Sequence, residues 1–320
     1  MDSEDTIDFT ILFENCQSSA EKLPVEEIKP EYKPIHLPSS IIEILNIWTS
    51  SSFETLSFRV GISPCDSSSL DTMFIHTWSE SHVEQPYRLT RIIDDLHNYF
   101  WISRQLRWKG IPGRMVNNDE IRLVHSEEFL SGFLSVERGD NVDNVVSMRT
   151  LSYANPKYNF KSVGPIVARA CRTAAGTTIN LISSVVRRDI DIGFAFIRPA
   201  GHHSSTDKVG AFCGLNSVSI GAVYAIQFLK LDRVLVLDWI GISNSTGAPL
   251  NCHLIDMFNR NQLTGDDEYF NMFAKNILPD IIQFQPSLIL ISAGFDAAQG
   301  EAEQCAQLTP NEYFQMTKKN

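Results

Sequence analysis

The run Arg233-Val234-Leu235-Val236-Leu237-Asp238-Trp239 decides the fold. Its middle is apolar at every position, where a half-exposed strand would alternate. Both faces must therefore be buried, as in a parallel sheet covered by helices. Ser287–Ser292 repeats the pattern, and Gly193–Ile197 is a third short apolar run. Helical spacing fills the intervals. Arg88–Leu106 carries Leu89, Ile92, Ile93, Leu96 and Phe100 along one face. Val163–Val186 is rich in small residues that permit close packing (Ala168, Ala170, Ala174, Ala175, Gly176), and Ser217–Leu229 and Tyr269–Ile282 read as further helices. Met73-Phe74-Ile75 reads as a strand. This order predicts an α/β fold, a mostly parallel sheet flanked by helices. Chemistry in such sheets gathers at the carboxyl ends of the strands.

A length of 320 residues favours two domains, or one large α/β domain with an appendage. The 43% hydrophobic content supports a sizeable core and excludes wholesale disorder. With 27 basic against 38 acidic residues the net charge is −11, which disfavours a dedicated nucleic-acid binder. Arg187-Arg188 and Lys318-Lys319 are too short to suggest DNA contact. The six cysteines (Cys16, Cys65, Cys171, Cys213, Cys252, Cys305) form no CxxC pair and fit reduced thiols. The start, MDSEDTIDFT, is acidic where a leader peptide would be basic, and runs such as Leu288–Ala293 are too short to cross a bilayer. A soluble intracellular protein with no membrane partner is the expectation. Residues 1–70, with Pro24, Pro30, Pro34, Pro38 and two serine clusters, predict a flexible or loosely structured extension, with a docking peptide as the alternative. Ile41–Trp48 could form a short helix capped by Ser40.

Three strand ends turn polar. Arg198-Pro199-Ala200-Gly201-His202-His203 follows the first run, Asp238-Trp239 the second, and Ala293-Gly294-Phe295-Asp296 the third. Two consecutive histidines point in different directions, and each is costly to bury without partners. A catalytic or metal role and a satisfied structural pair both remain open on pattern alone. An Asp beyond a strand is often a helix cap, but three such ends together favour a functional crevice.

The segment RPAGHHSSTDKVGAFCGLN, Arg198–Asn216, closely resembles the active-site loop of zinc-dependent histone deacetylases, especially the class II type. HVEQPYR at His82–Arg88, LVHSEEF at Leu123–Phe129, RVLVLDW at Arg233–Trp239 and PSLILISAGFDAAQGE at Pro286–Glu301 extend the likeness over residues 71–320. The resemblance implies the arginase/deacetylase fold and hydrolysis of acetyl-lysine in histones or other proteins. It also implies chromatin regulation in corepressor-type complexes, in the nucleus and/or cytoplasm. In that family a zinc ion on two aspartates and a histidine polarises the acetyl carbonyl and acidifies a bound water. Two neighbouring histidines serve as general base and acid, each oriented by a carboxylate. By resemblance His202 and His203 are that pair, Asp238 orients one of them, and Asp296 is a zinc ligand. Phe212 falls on the aromatic wall of the lysine channel, and Gly201 lets the backbone approach the substrate.

The likeness breaks after Trp239. Relatives continue Asp-Trp-Asp-Val-His-His, with the second Asp and the first His binding zinc; here Ile240 and Ile242 take those places. An aliphatic side chain has no lone pair to donate, so zinc affinity should collapse. Cys252 and His253 are chemically suitable substitutes, but no spacing supports them, and they read as exposed loop residues. Glu301 and Glu303 read as a solvated acidic patch, while Asp266-Asp267-Glu268 start the helix near Tyr269. The stretch 240–264 is shorter than in relatives, where it carries a further strand, which predicts exposed edges and poor stability. The chain stops at Asn320, ahead of the glycine-rich segment that bears the family's oxyanion-stabilising Tyr or His. The expectation is a domain incomplete at the C-terminus, with zinc not bound and hydrolysis lost or impaired. The alternatives are a non-catalytic scaffold or binding module in a chromatin or cytoplasmic complex, or a splice or gene-model fragment of an active class II deacetylase. Ureohydrolase chemistry would need a two-metal Asp/His set that the sequence does not show.

Overall fold

Strands β1 (Asp8–Phe13), β2 (Val60–Ser63), β3 (Trp108–Gly110), β4 (Ile192–Phe196), β5 (Val234–Asp238), β6 (Cys252–Asp256) and β7 (Leu288–Ser292) form one sheet in the order β3-β2-β4-β1-β7-β5-β6. Every pairing is parallel. The computed structural model describes residues 8–13, 59–75, 85–103, 108–140, 164–210, 213–238, 252–256, 265–295, 297–300 and 307–317. The proposed helix at Ile41–Trp48 lies outside them.

The continuous apolar runs are explained by burial on both faces. Alternation along β5 and β7 sends Val234, Val236, Leu288 and Leu290 into one core, and Leu235, Leu237, Ile289 and Ile291 into another. The first core is closed by α1 (Ser67–Ile75), α2 (Tyr87–Ser103), α5 (Pro165–Val186) and α6 (Ser217–Gln227). Asp266–Phe284 covers the second as α7 (Asp266–Met272), a π-helical turn (Phe273–Ile277) and α8 (Leu278–Phe284). Helix α9 (Pro310–Thr317) adds Tyr313 to it. Two short elements, α3 (Asn118–Ile121) and α4 (Glu127–Arg138), build a third core against α5.

Local chemistry sets the helix starts. Asn117 and Glu120 form a reciprocal capping box on α3, Ser126 caps α4 through Phe129 N–H, and Asn216 caps α6 through Ser219 N–H. Asp266, Asp267 and Glu268 occupy the first turn of α7, as the sequence predicts. Close packing accounts for Gly176: a Cβ there would strike the Arg114 carbonyl, so the centre of α5 lies against that backbone.

Three expectations need correction. Met73-Phe74-Ile75 is not a strand but the end of α1. Asp66 accepts the Ser69 N–H at 2.8 Å, and Leu70, Met73 and Phe74 follow helical spacing into the core. The segment 1–70 is not wholly a loose extension, since it supplies β1 and β2, with β1 hydrogen-bonded to both β4 and β7. Cys252 and His253 belong to strand β6 rather than to a loop. β6 pairs with β5 from Val234↔Cys252 to Asp238↔Asp256, so the stretch after Trp239 still provides the strand that covers β5.

Candidate active site

The parallel register brings the predicted residues to one edge of the sheet. Asp238 is level with Ser292 of β7 and Asp256 of β6. Leu12 of β1 is level with Ser292 on one side and Ala195 of β4 on the other. The β4 loop with its two histidines and the acid of β5 therefore leave the sheet in the same direction. Two strands separate β4 from β5, a span of about 14 Å at roughly 4.8 Å per step. Residues Ile197 to His202 are long enough to bridge it, at about 3.3 Å per extended residue.

His202 is 2% exposed, His203 is half-buried, and their ring centroids lie 4.1 Å apart with planes at 54°. Asp238, at 1% exposure, is a carboxylate taken out of water at the end of a buried strand. Gly201 is buried for a reason beyond substrate approach. A Cβ there would strike the Leu215 carbonyl and lie 2.7 Å from Ser217 N, so only glycine lets the loop press against the start of α6. Gly210 is the matching contact on the other side, because its Cβ would run into the backbone carbonyl of His203.

The loop is tied to itself and to the core. Ser204 N–H donates to the Gly201 carbonyl at 3.0 Å, and Ser204 Oγ donates to the Gly214 carbonyl at 2.6 Å. Gly210 and Cys213 exchange backbone hydrogen bonds at 3.2 and 2.6 Å. Ala200, Val209, Cys213 and Leu215 enter the core formed by α4 and α5. Asn216, fully buried, donates from Nδ2 to the carbonyls of Ser204 at 2.8 Å and His202 at 3.4 Å.

Residue His125 of the LVHSEEF segment stands behind this loop, a role that no sequence feature announces. Its Nε2 accepts the Asn216 backbone N–H at 3.1 Å, and its ring stacks on Phe129 with centroids 4.0 Å apart. Burial lowers its pKa to about 4, against the opposing pull of the Ser205 and Thr206 carbonyls and Asp207. The ring is thus neutral at pH 7 with its proton on Nδ1. That atom faces the Ser205 and Thr206 carbonyls without closing a well-formed hydrogen bond among the described residues. The adjacent Ser126 N–H donates to the Thr206 carbonyl at 3.0 Å, so residues 125 and 126 clasp the loop from below. The family likeness of LVHSEEF marks the segment without assigning its histidine this role, whereas Asn216 ahead of a helical run is legible at least as a cap.

Phe212, Ile240, Ile242 and Asp296 lie outside the described residues. Among those described, no group of three His, Cys, Asp or Glu side chains is placed to hold a metal ion. No helix among them is long and apolar enough to cross a membrane.

The sequence profile of the histone deacetylase domain matches residues 82–239 and 240–320. The chain belongs to the histone deacetylase family. Polyamine deacetylase HDAC10 of Danio rerio is 29% identical over 266 residues, spanning 70% of this chain and 38% of that protein. Histone deacetylase clr3 of Schizosaccharomyces pombe is 27% identical over 284 residues, spanning 75% of this chain and 40% of that protein. The chain thus covers well under half the length of these curated relatives. Among solved structures, the HDA15 HD domain superposes with a TM-score of 0.65 at 24% identity, over 82% of this chain and 79% of that one. That likeness supports the fold. The profile match comes in two pieces that meet between Trp239 and Ile240.

Proposed function

We propose that this chain keeps the acid–base half of a deacetylase site and has lost the metal-binding half, so that amide hydrolysis is lost or severely impaired. The observation that carries this reading is the break after Trp239: the family match is unbroken through His202, His203 and Asp238, then divides where Ile240 and Ile242 stand. A catalytic zinc site uses three protein ligands. Asp296 is the one residue of the expected two-aspartate, one-histidine set that remains, so the donor set does not fit the ion.

The remaining residues define a proton-handling crevice. His202, buried beside His203, and Asp238 at the β5 end are the candidates for holding and moving a proton. Phe212 and Gly201 are assigned to the channel for an acetylated aliphatic amine. The substrate class is acetyl-lysine in histones or other proteins. Acetylated polyamines share the same head group and belong in the test, since HDAC10 relatives carry that name. Without an electrophile to polarise the amide, the crevice serves as a recognition surface, consistent with a binding module in a chromatin or cytoplasmic complex. The abrupt break fits a skipped segment better than gradual decay, which would scatter substitutions.

Metal content and turnover test this directly. Purified chain should hold far less than one zinc per molecule and should not hydrolyse an acetyl-lysine peptide or an N-acetylated polyamine. The double variant Ile240→Asp/Ile242→His should raise bound zinc toward one per chain. Stoichiometric zinc with turnover in the unaltered protein would overturn the proposal.

A further inference from the structure

We propose that Asn216 is the positioning residue of the histidine pair. The inference rests on reading the Arg198–Asn216 loop as the acid–base half of the site, and it adds a residue that this reading does not include. One side chain makes three kinds of contact. Its Oδ1 accepts the Ser219 N–H at 3.0 Å and starts α6. Its Nδ2 donates to the carbonyls of His202 and Ser204, the residues bracketing His203. Its own backbone N–H is held at 3.1 Å by the neutral ring of His125.

The geometry explains why an asparagine is needed. Serine, threonine and aspartate cap helices about as well. None of them offers an acceptor toward the helix and two N–H donors toward the loop at once in the charge-neutral form that a fully buried site favours. The two donors fix the direction of the peptide carbonyls on either side of His203 and hence the setting of both rings. Gly201 and Gly210 let the backbone come close enough for these bonds to form. Helix α6, anchored in two cores, is the rigid support and Asn216 is the link.

Hydrogen exchange separates positioning from capping. Asn216→Ser keeps a capping oxygen and removes the amide donors. The Ser219 amide should exchange at its original rate, while the amides of residues 202–205 exchange about tenfold faster, as expected for loss of buried hydrogen bonds. Asn216→Ala should accelerate both regions. The ring 15N signals of His202 and His203 should move in both variants at constant pH. If Asn216→Ser leaves the loop amides and both ring signals unchanged, Asn216 is a helix cap only and the proposal fails. Should neither variant fold, the unaltered chain decides: slowed exchange of the Asn216 side-chain amide protons supports the assignment, and solvent-like exchange sinks it. None of these measurements requires turnover, so a failure of the metal-loss reading leaves them unaffected.

Discussion

The ends of β4 and β5 lie at the same edge of the sheet and carry different parts of the proposed site. The loop after β4 is bracketed by two glycines and closed by backbone and Ser204 hydrogen bonds. Its apolar residues enter a core, and Asn216 links it to α6. β5 ends on the buried Asp238, and the proposed function rests on Ile240 and Ile242 standing in the sequence just beyond it. The contrast teaches that scaffold and chemistry are encoded separately. The β4 loop is fixed by many interior contacts, whereas a metal seat depends on a few donor atoms, so on the proposed reading two substitutions beyond β5 would undo it without touching the sheet.

The largest effect should come from the strand that joins the two regions. Among the described residues, β1 is the hydrogen-bonded bridge between the β3-β2-β4 half, with the histidines, and the β7-β5-β6 half, with Asp238. Ile11→Pro removes a ladder donor from a strand paired on both sides and should be the most destabilising of these changes. A urea melt should show a lower midpoint or two separate transitions. An unchanged single transition would mean that the two halves hold together without β1.

That strand also marks the limit of what the sequence shows. The buried β5 and β7 are legible because a short run that is apolar at every position must be covered on both faces, and the histidine pair because glycine followed by two imidazoles is poor core filling. β1 is not legible. Asp8–Phe13 is short, flanked by acidic and polar residues, and its pairing depends on partners more than a hundred residues away. The start of α1 is misread for a related reason: three apolar residues carry no period, and the deciding feature is the cap from Asp66. At the site, the residue types that do chemistry stand out, but those that hold them, His125 and Asn216, are identified only by what they face in three dimensions.

Acid should weaken the β4 loop next most strongly, through His125. Burial lowers the folded pKa to about 4, from an ordinary value of 6.5. Between those values the unfolded chain takes up a proton that the folded chain refuses. The contribution is therefore intact above pH 6.5 and is lost as pH falls toward 4, to a total of about 3 kcal/mol. Urea midpoints at pH 7 and pH 4.5 should show this loss. A His125→Gln chain, with no imidazole to charge, should show a correspondingly smaller drop. Equal drops in both chains would remove His125 from the account of acid sensitivity, and with it the claim that a neutral ring backs the histidine loop.

The smallest effect compares a glycine in each region. Gly210→Ala drives a methyl into the His203 carbonyl, a backbone atom that cannot swing aside, and should cost about 1–3 kcal/mol while shifting the His203 ring signals. At the start of α7, Gly265→Ala places its methyl 3.4 Å from Glu268 Oε2, an ordinary contact with the end of a flexible side chain. Alanine is the poorer N-cap, so a loss of about 0.5 kcal/mol is expected there. Thermal melts of the two variants should differ by several degrees, with Gly210→Ala the lower. If the two melt together, the β4 loop has room to retreat from the added methyl. The tight backbone packing of that loop would then be slack, and the histidine pair would have to owe its setting to the Asn216 hydrogen bonds alone.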